Sequence, residues 1–183
     1  MELCLRDNKI FLLVFNLIVG GMLLYSYYYY IKNGGVSVKD LWGKAYPYRV
    51  VYMISMIFAA IGYIAVMVWT LVNATKSQNG LVSDLIIAQV LIVTVSMLWL
   101  PLTIMFAKSK TKSIFLAIAI ILVLIIVAVT SIQQVLIVNK LKPVNSKNKL
   151  LAGGHKAIIA GATLFAIHTL FFDGLGWNIG FFT

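Results

Sequence analysis

His168 is the side chain best placed for chemistry, about one turn inside the end of an apolar run, with Thr169 beside it and Asp173 five residues on. An imidazole at that depth has three uses: holding a ligand's carboxylate, coordinating the iron of a porphyrin, or relaying protons. The plainer reading, which we prefer, is a neutral ring satisfied by a neighbouring hydroxyl or carbonyl. A second group is aromatic: Tyr25, Tyr27, Tyr28, Tyr29, Tyr30, Trp42, Tyr46, Tyr48, Tyr52, Trp99 and Trp177. A third is amide and hydroxyl: Gln89, Thr130, Gln133 and Gln134, all inside apolar segments. Catalytic signatures are missing. There is no GxSxG, HExxH, phosphate loop or intramembrane Ser-His pattern, and the five acidic residues cannot readily supply a metal cage or a paired-carboxylate centre. The expectation is therefore a protein that is not an enzyme and holds no metal through its own carboxylates.

The elements that carry these residues follow from composition. Of the 183 residues, 62% are hydrophobic and 11% charged, and the mean hydropathy is +0.99. Such a chain has too little polar surface to cover a soluble globule, so it reads as an integral, multi-pass membrane protein whose first partner is the lipid bilayer. The net charge of +10 sits almost wholly between apolar segments, where Lys and Arg anchor to headgroups; no nucleic-acid partner is expected. The single cysteine, Cys4, excludes an internal disulfide.

Five spans are expected, at about 10–31, 48–72, 85–107, 114–138 and 150–172. They make an all-α bundle of five transmembrane helices, one membrane domain over 1–183, up and down with termini on opposite sides. The first run ends in tyrosines rather than in small residues, so it reads as a retained span and not a signal peptide. The third should be central. At roughly 34 Å it crosses a hydrocarbon core of roughly 30 Å, yet Pro101 cannot donate to the carbonyl of Met97, which then needs a partner from a neighbour.

Packing signals are small residues and amides. Ser55, Ala59 and Gly62 make a small face on the second span, Gly153, Ala157 and Gly161 repeat every fourth residue on the fifth, and Gly20 and Gly21 permit close approach or a bend in the first. Thr130, Gln133 and Gln134 are expected to look inward, with Gln89, Gln133 and Gln134 making interhelical polar contacts. Ser83 and Asp84 are N-cap candidates for the third span. The connector 32–47 has both charge signs, a glycine pair and aromatics, which suits a structured lid. Orientation stays open: Arg6, Lys9, Lys76, Lys140, Lys142, Lys147 and Lys149 on one side balance Lys32, Lys39, Lys44, Arg49, Lys108, Lys110 and Lys112 on the other.

Topology puts the aromatics, Pro101, His168 and Asp173 at one depth, a candidate ligand site beneath the connector. The glutamines gather at the other, as structural glue. Gly62-Tyr-Ile-Ala-Val-Met-Val-Trp69 closing the second span, and Trp99-Leu-Pro101-Leu102 with Phe106 in the third, resemble the tryptophan-rich sensory, or translocator protein, family. So do Asn33-Gly34, Ser37, Asp40, Lys44 and Tyr46-Pro47 in the connector. Ser96 stands where that family has an asparagine, helix five has no clear match, and the tryptophans are fewer. The resemblance implies binding of a tetrapyrrole, sterol or similar flat hydrophobic molecule beneath the first connector, with a porphyrin as the implied cofactor.

Two functions are thus expected. The first is a hydrophobic-ligand-binding bundle with Tyr46, Tyr52, Trp99 and Pro101 around the ligand and His168 as polar contact. The second is a structural subunit of a large membrane assembly, such as a respiratory-type complex or a virion inner membrane, with homo-oligomers or other membrane subunits as partners. A small oligomeric channel or transporter fits less well, since the spans carry no ionisable residue at midplane.

Overall fold

The computed structural model describes residues 4–111, 113–141 and 149–182. Helix α1 is Leu5–Asn33, α2 Val38–Trp42, α3 Arg49–Asn73, α4 Asn79–Lys108, α5 Ile114–Lys140, α6 Lys149–Ile167 and α7 Asn178–Phe182. Short 3-10 helices, Gly43–Tyr48 and Lys76–Gln78, precede α3 and α4, and a π-helix, His168–Trp177, joins α6 to α7. Five stretches are long and apolar enough to cross a membrane: Leu5–Asn33, Val38–Asn73, Lys76–Lys108, Ile114–Lys140 and Gly153–Phe182. The protein is a multi-pass, all-α membrane bundle. Lys112, Lys142 and Lys147, three of the charges weighed for orientation, and most of the 140–149 connector lie outside the described residues.

Neighbouring contacts close a ring in the order α1, α4, α5, α6, α3 and back, more lightly, to α1. Lipid tails are as apolar as the helices, so association here rests on close packing and hydrogen bonds rather than on escape from water. The closest approach is between α3 and α6. At Gly62 a Cβ would strike the carbonyl oxygen of Gly161, and at Gly161 a Cβ would lie 2.9 Å from the Gly62 Cα. On α3, Gly62 lies at this contact, Ala59 is buried and Ser55 reaches His168 of the π-helix. The fifth-span ridge does not. Gly153 and Ala157 are exposed, and only Gly161 packs, because residues four apart drift about 40° around a helix at each step.

Amide geometry departs from expectation in the same way. Gln89 is buried and its Oε1 accepts from Asn16 Nδ2 at 2.9 Å. Tyr63 donates to Asn16 Oδ1 at 2.7 Å, so one asparagine ties α1, α3 and α4 together. Gln134 is buried too, but both its amide atoms lack a partner among the described residues, and Gln133 is exposed. Thr130 and Gln134, four apart, share the inner face, while Gln133 is turned about 100° from Gln134. Gln89 thus makes the interhelical contact expected of it, but on α5 the polar link to a neighbouring element comes from Ser131 and not from Gln133 or Gln134: Ser131 and Thr169 pair their hydroxyls at 2.7 Å between α5 and the π-helix.

Asn16→Ala strips partners from both Gln89 and Tyr63, and an unsatisfied buried group costs about 1–3 kcal/mol. It should lower the unfolding midpoint in mixed micelles well below that of Ile18→Ala on the exposed face of α1. Equal midpoints would show the network to be idle.

Other boundaries shift. Helix α4 begins at Asn79, so Ser83 and Asp84 lie inside it and are not its cap. The chain is instead reversed at Thr75, whose side chain and backbone form a reciprocal capping box with Gln78. Ser83 Oγ accepts from Asn8 on α1 at 2.9 Å. Gly20 and Gly21 sit in an unbroken helix, and a Cβ at either would meet nothing within 4 Å. Pro101 lies within α4, and Tyr27 on α1 donates to the carbonyl of Ser96, the residue before Met97, at 2.9 Å.

Candidate functional site

The connector is ordered from its first residues. Ser37 Oγ accepts from the Asp40 N–H at 3.1 Å and starts α2, while Gly43, at φ +50, turns the chain into the 3-10 helix. Gly43 is required twice, since a Cβ there would also lie 2.7 Å from the Gly180 carbonyl oxygen. Leu41 and Ala45 are buried beneath it. The connector is therefore a lid, seated on α7.

What lies beneath it is the chain's own C-terminal segment. Trp177, 2% exposed, donates from Nε1 to the Leu41 carbonyl at 3.2 Å. Its ring stacks on Phe181 with centroids 4.4 Å apart and meets Trp99 edge-on at 5.2 Å. Phe182 and Phe106 close the other side at 5.1 Å. Trp99 also meets Tyr27 at 5.8 Å. The depth predicted to hold a ligand is filled by an aromatic plug.

The expected site residues consequently part company. Tyr52 stands between Trp42 and Phe172, edge-on to each at 5.1 Å. Trp99 belongs to the plug, and Pro101 is half-buried on α4. Tyr46 lies apart under the Arg49 guanidinium, 4.2 Å from its ring centroid. His168 is 5% exposed, with Nδ1 3.0 Å from Ser55 Oγ and Nε2 3.4 Å from Asp173 Oδ2. With the proton on Nε2, the ring faces Asp173 and accepts from the Ser55 hydroxyl, so both nitrogens are engaged. That is the plain reading of His168 given above. It leaves no free nitrogen for iron, so these residues do not fit an axially ligated porphyrin.

The pairing of His168 with Asp173 was invisible to a 3.6-residue period, which puts residues five apart on different faces. In a π-helix the bonds run from i to i+5, which stacks such residues over one another. The same geometry brings Ser55, His168 and Asp173 into a row. The row is a polar lock that ties α3 to the π-helix.

Space for a ligand exists at the side. A groove of about 460 Å³ runs between the connector and the π-helix, lined by Lys44, Ala45, Tyr48, Val51, Tyr52, Phe171, Phe172, Gly176, Ile179 and Gly180. It opens outward on the side of the bundle, where Tyr48, Val51, Phe171 and Ile179 are exposed. Gly176 keeps its inner wall close, since a Cβ there would strike the Tyr52 hydroxyl. Of the residues expected at a site, Tyr48 and Tyr52 reach it, while Tyr46, Trp99, Pro101 and His168 do not line it; Val51, Phe171 and Gly176 carried no signal beyond apolar character. Comparison with protein-family models, with curated proteins and with solved structures yields no match for this chain.

Proposed function

We propose that this membrane bundle binds an amphiphilic lipid with an anionic head, its tail in the groove beside the π-helix and its head at Lys44. The groove is the observation that supports the reading. Its volume of about 460 Å³ is within the range of ligand sites, roughly 300–1,000 Å³. Its walls are largely apolar, and among the described residues that line it Lys44 carries the one charge. A lysine at the end of a span lays its stem on apolar surface and holds its ammonium at headgroup level, where phosphate is met. The sequence suggested a flat hydrophobic ligand; the groove and Lys44 favour a lipid over a porphyrin. Tyr52 remains a contact residue; Trp99 and His168 act from behind it.

Native mass spectrometry from mixed phosphatidylglycerol and phosphatidylcholine micelles tests this. Wild type should retain phosphatidylglycerol preferentially, Lys44→Glu should weaken that retention about tenfold, and Val51→Trp, which fills the groove, should abolish retention of both lipids. Equal retention by all three proteins would overturn the reading.

A second reading, a structural subunit of a larger membrane assembly, is favoured by the aromatic plug: Trp177, Phe181 and Phe182 pack against Trp99 and Phe106 beneath the connector. Migration of a persistent large complex on blue-native gels, unchanged by Val51→Trp, would support it.

A further inference from the structure

Helix α5 turns a broad apolar face outward, with Leu122, Ile125, Val129 and Leu136 all exposed, and one amide stands in it. Gln133 is exposed and its side chain makes no hydrogen bond to any described residue. It lies six positions from the midpoint of α5, about 9 Å along the axis, inside a hydrocarbon half-thickness of about 15 Å. Lipid offers an amide nothing there, and an unpaired polar group in hydrocarbon is costly. Thr94, also polar and exposed near the middle of its helix, donates to its own helix at the Val90 carbonyl, 2.6 Å away. The Gln133 side chain makes no such bond to its own helix.

We propose that α5 is the contact face of a parallel homo-oligomer, in which Gln133 hydrogen-bonds with Gln133 of a second copy. A carboxamide holds both a donor and an acceptor, so two of them facing across a rotation axis satisfy each other reciprocally. An axis along the bilayer normal keeps identical residues at one depth, which is the condition for Gln133 to meet itself. An antiparallel pair would put the two amides about 18 Å apart in depth, twice the distance from the midpoint. Beside the amide, an apolar groove of about 240 Å³ between α5 and α6 is lined by Ile132, Val135, Leu136, Thr163, Ala166 and Ile167 among others. It offers a hole for side chains protruding from the facing α5, which is how helices interlock where solvent supplies no drive.

The chain has one cysteine, Cys4, so Cys4→Ser gives a clean background. In it, Gln133→Cys should form a disulfide-linked dimer in proteoliposomes under mild oxidation, while Ile57→Cys, on the exposed face of α3, should not. Single-molecule photobleaching in dilute liposomes should show Gln133→Leu shifting the association constant down about tenfold, with Gln133→Asn retaining most of it. Gln133→Leu removes no internal contact, so its fold should be unchanged. Wild-type protein that is monomeric, an oligomer indifferent to Gln133→Leu, or a residue-133 cross-link formed only to a different protein would each overturn the proposal.

Discussion

Trp177→Ala should detach the connector from the bundle. The substitution removes the bond to the Leu41 carbonyl, the stack on Phe181 and the edge contact with Trp99 at once. Truncating a buried tryptophan costs about 3–5 kcal/mol, and the loss falls on one seam, since α2 and the 3-10 helix meet the rest of the protein largely through α7, α4 and α3. Hydrogen exchange of the amides over 38–48 should accelerate strongly, and trypsin should gain cuts after Lys39 and Lys44, while the five spans stay protected. Trp177→Phe separates the contributions: it keeps much of the stacking and loses about 1 kcal/mol with the hydrogen bond. Unaltered exchange over 38–48 in Trp177→Ala would mean that something other than the plug holds the lid. Trp99→Ala should act in the same direction, as a loss of plug packing rather than of ligand contact.

Gly62→Ala should be the most damaging single-methyl change in the bundle. The added carbon would strike the backbone of Gly161, and backbone cannot rotate aside as a side chain does. Overpacking typically costs 1–3 kcal/mol, and about 3 kcal/mol is expected here because α3 and α6 must separate along their length. Separation would also pull Ser55 away from His168, so the polar lock should open with it. Gly153→Ala is the control with the opposite sign. A Cβ at Gly153 meets nothing within 4 Å, and alanine is up to about 1 kcal/mol better than glycine within a helix. Unfolding in dodecyl sulfate mixed micelles should rank Gly153→Ala at or above wild type and Gly62→Ala far below it. If both behave alike, the α3–α6 crossing is looser than its geometry indicates.

Much of the architecture was legible along the chain. Hydropathy and length determined five spans and an all-α membrane bundle, because crossing lipid needs about 20 apolar residues with every backbone group paired in the helix. Depth was legible for the same reason: Tyr52, Trp99 and Trp177 do cluster under the connector, as counting residues from the membrane ends requires. Ser55, Ala59 and Gly62 were readable as a packing face, since short side chains are what close approach demands.

Rotation about each helix axis was not. Gln133 and Gln134 are neighbours in sequence, yet one faces outward and the other the core. Gly153, Ala157 and Gly161 looked like one ridge, but the drift of a four-residue repeat leaves only Gly161 in contact. His168 meets Asp173 because the chain widens to a π-helix there, and nothing in the one-dimensional pattern announces that change of pitch. Asn16 becomes a three-helix junction only once α1 lies between α3 and α4. Apolarity and depth are properties of a single helix in a bilayer, so the sequence by itself determined them. Which face turns inward, and whose backbone it meets, is a property of several helices packed together, and the tertiary structure alone decided it.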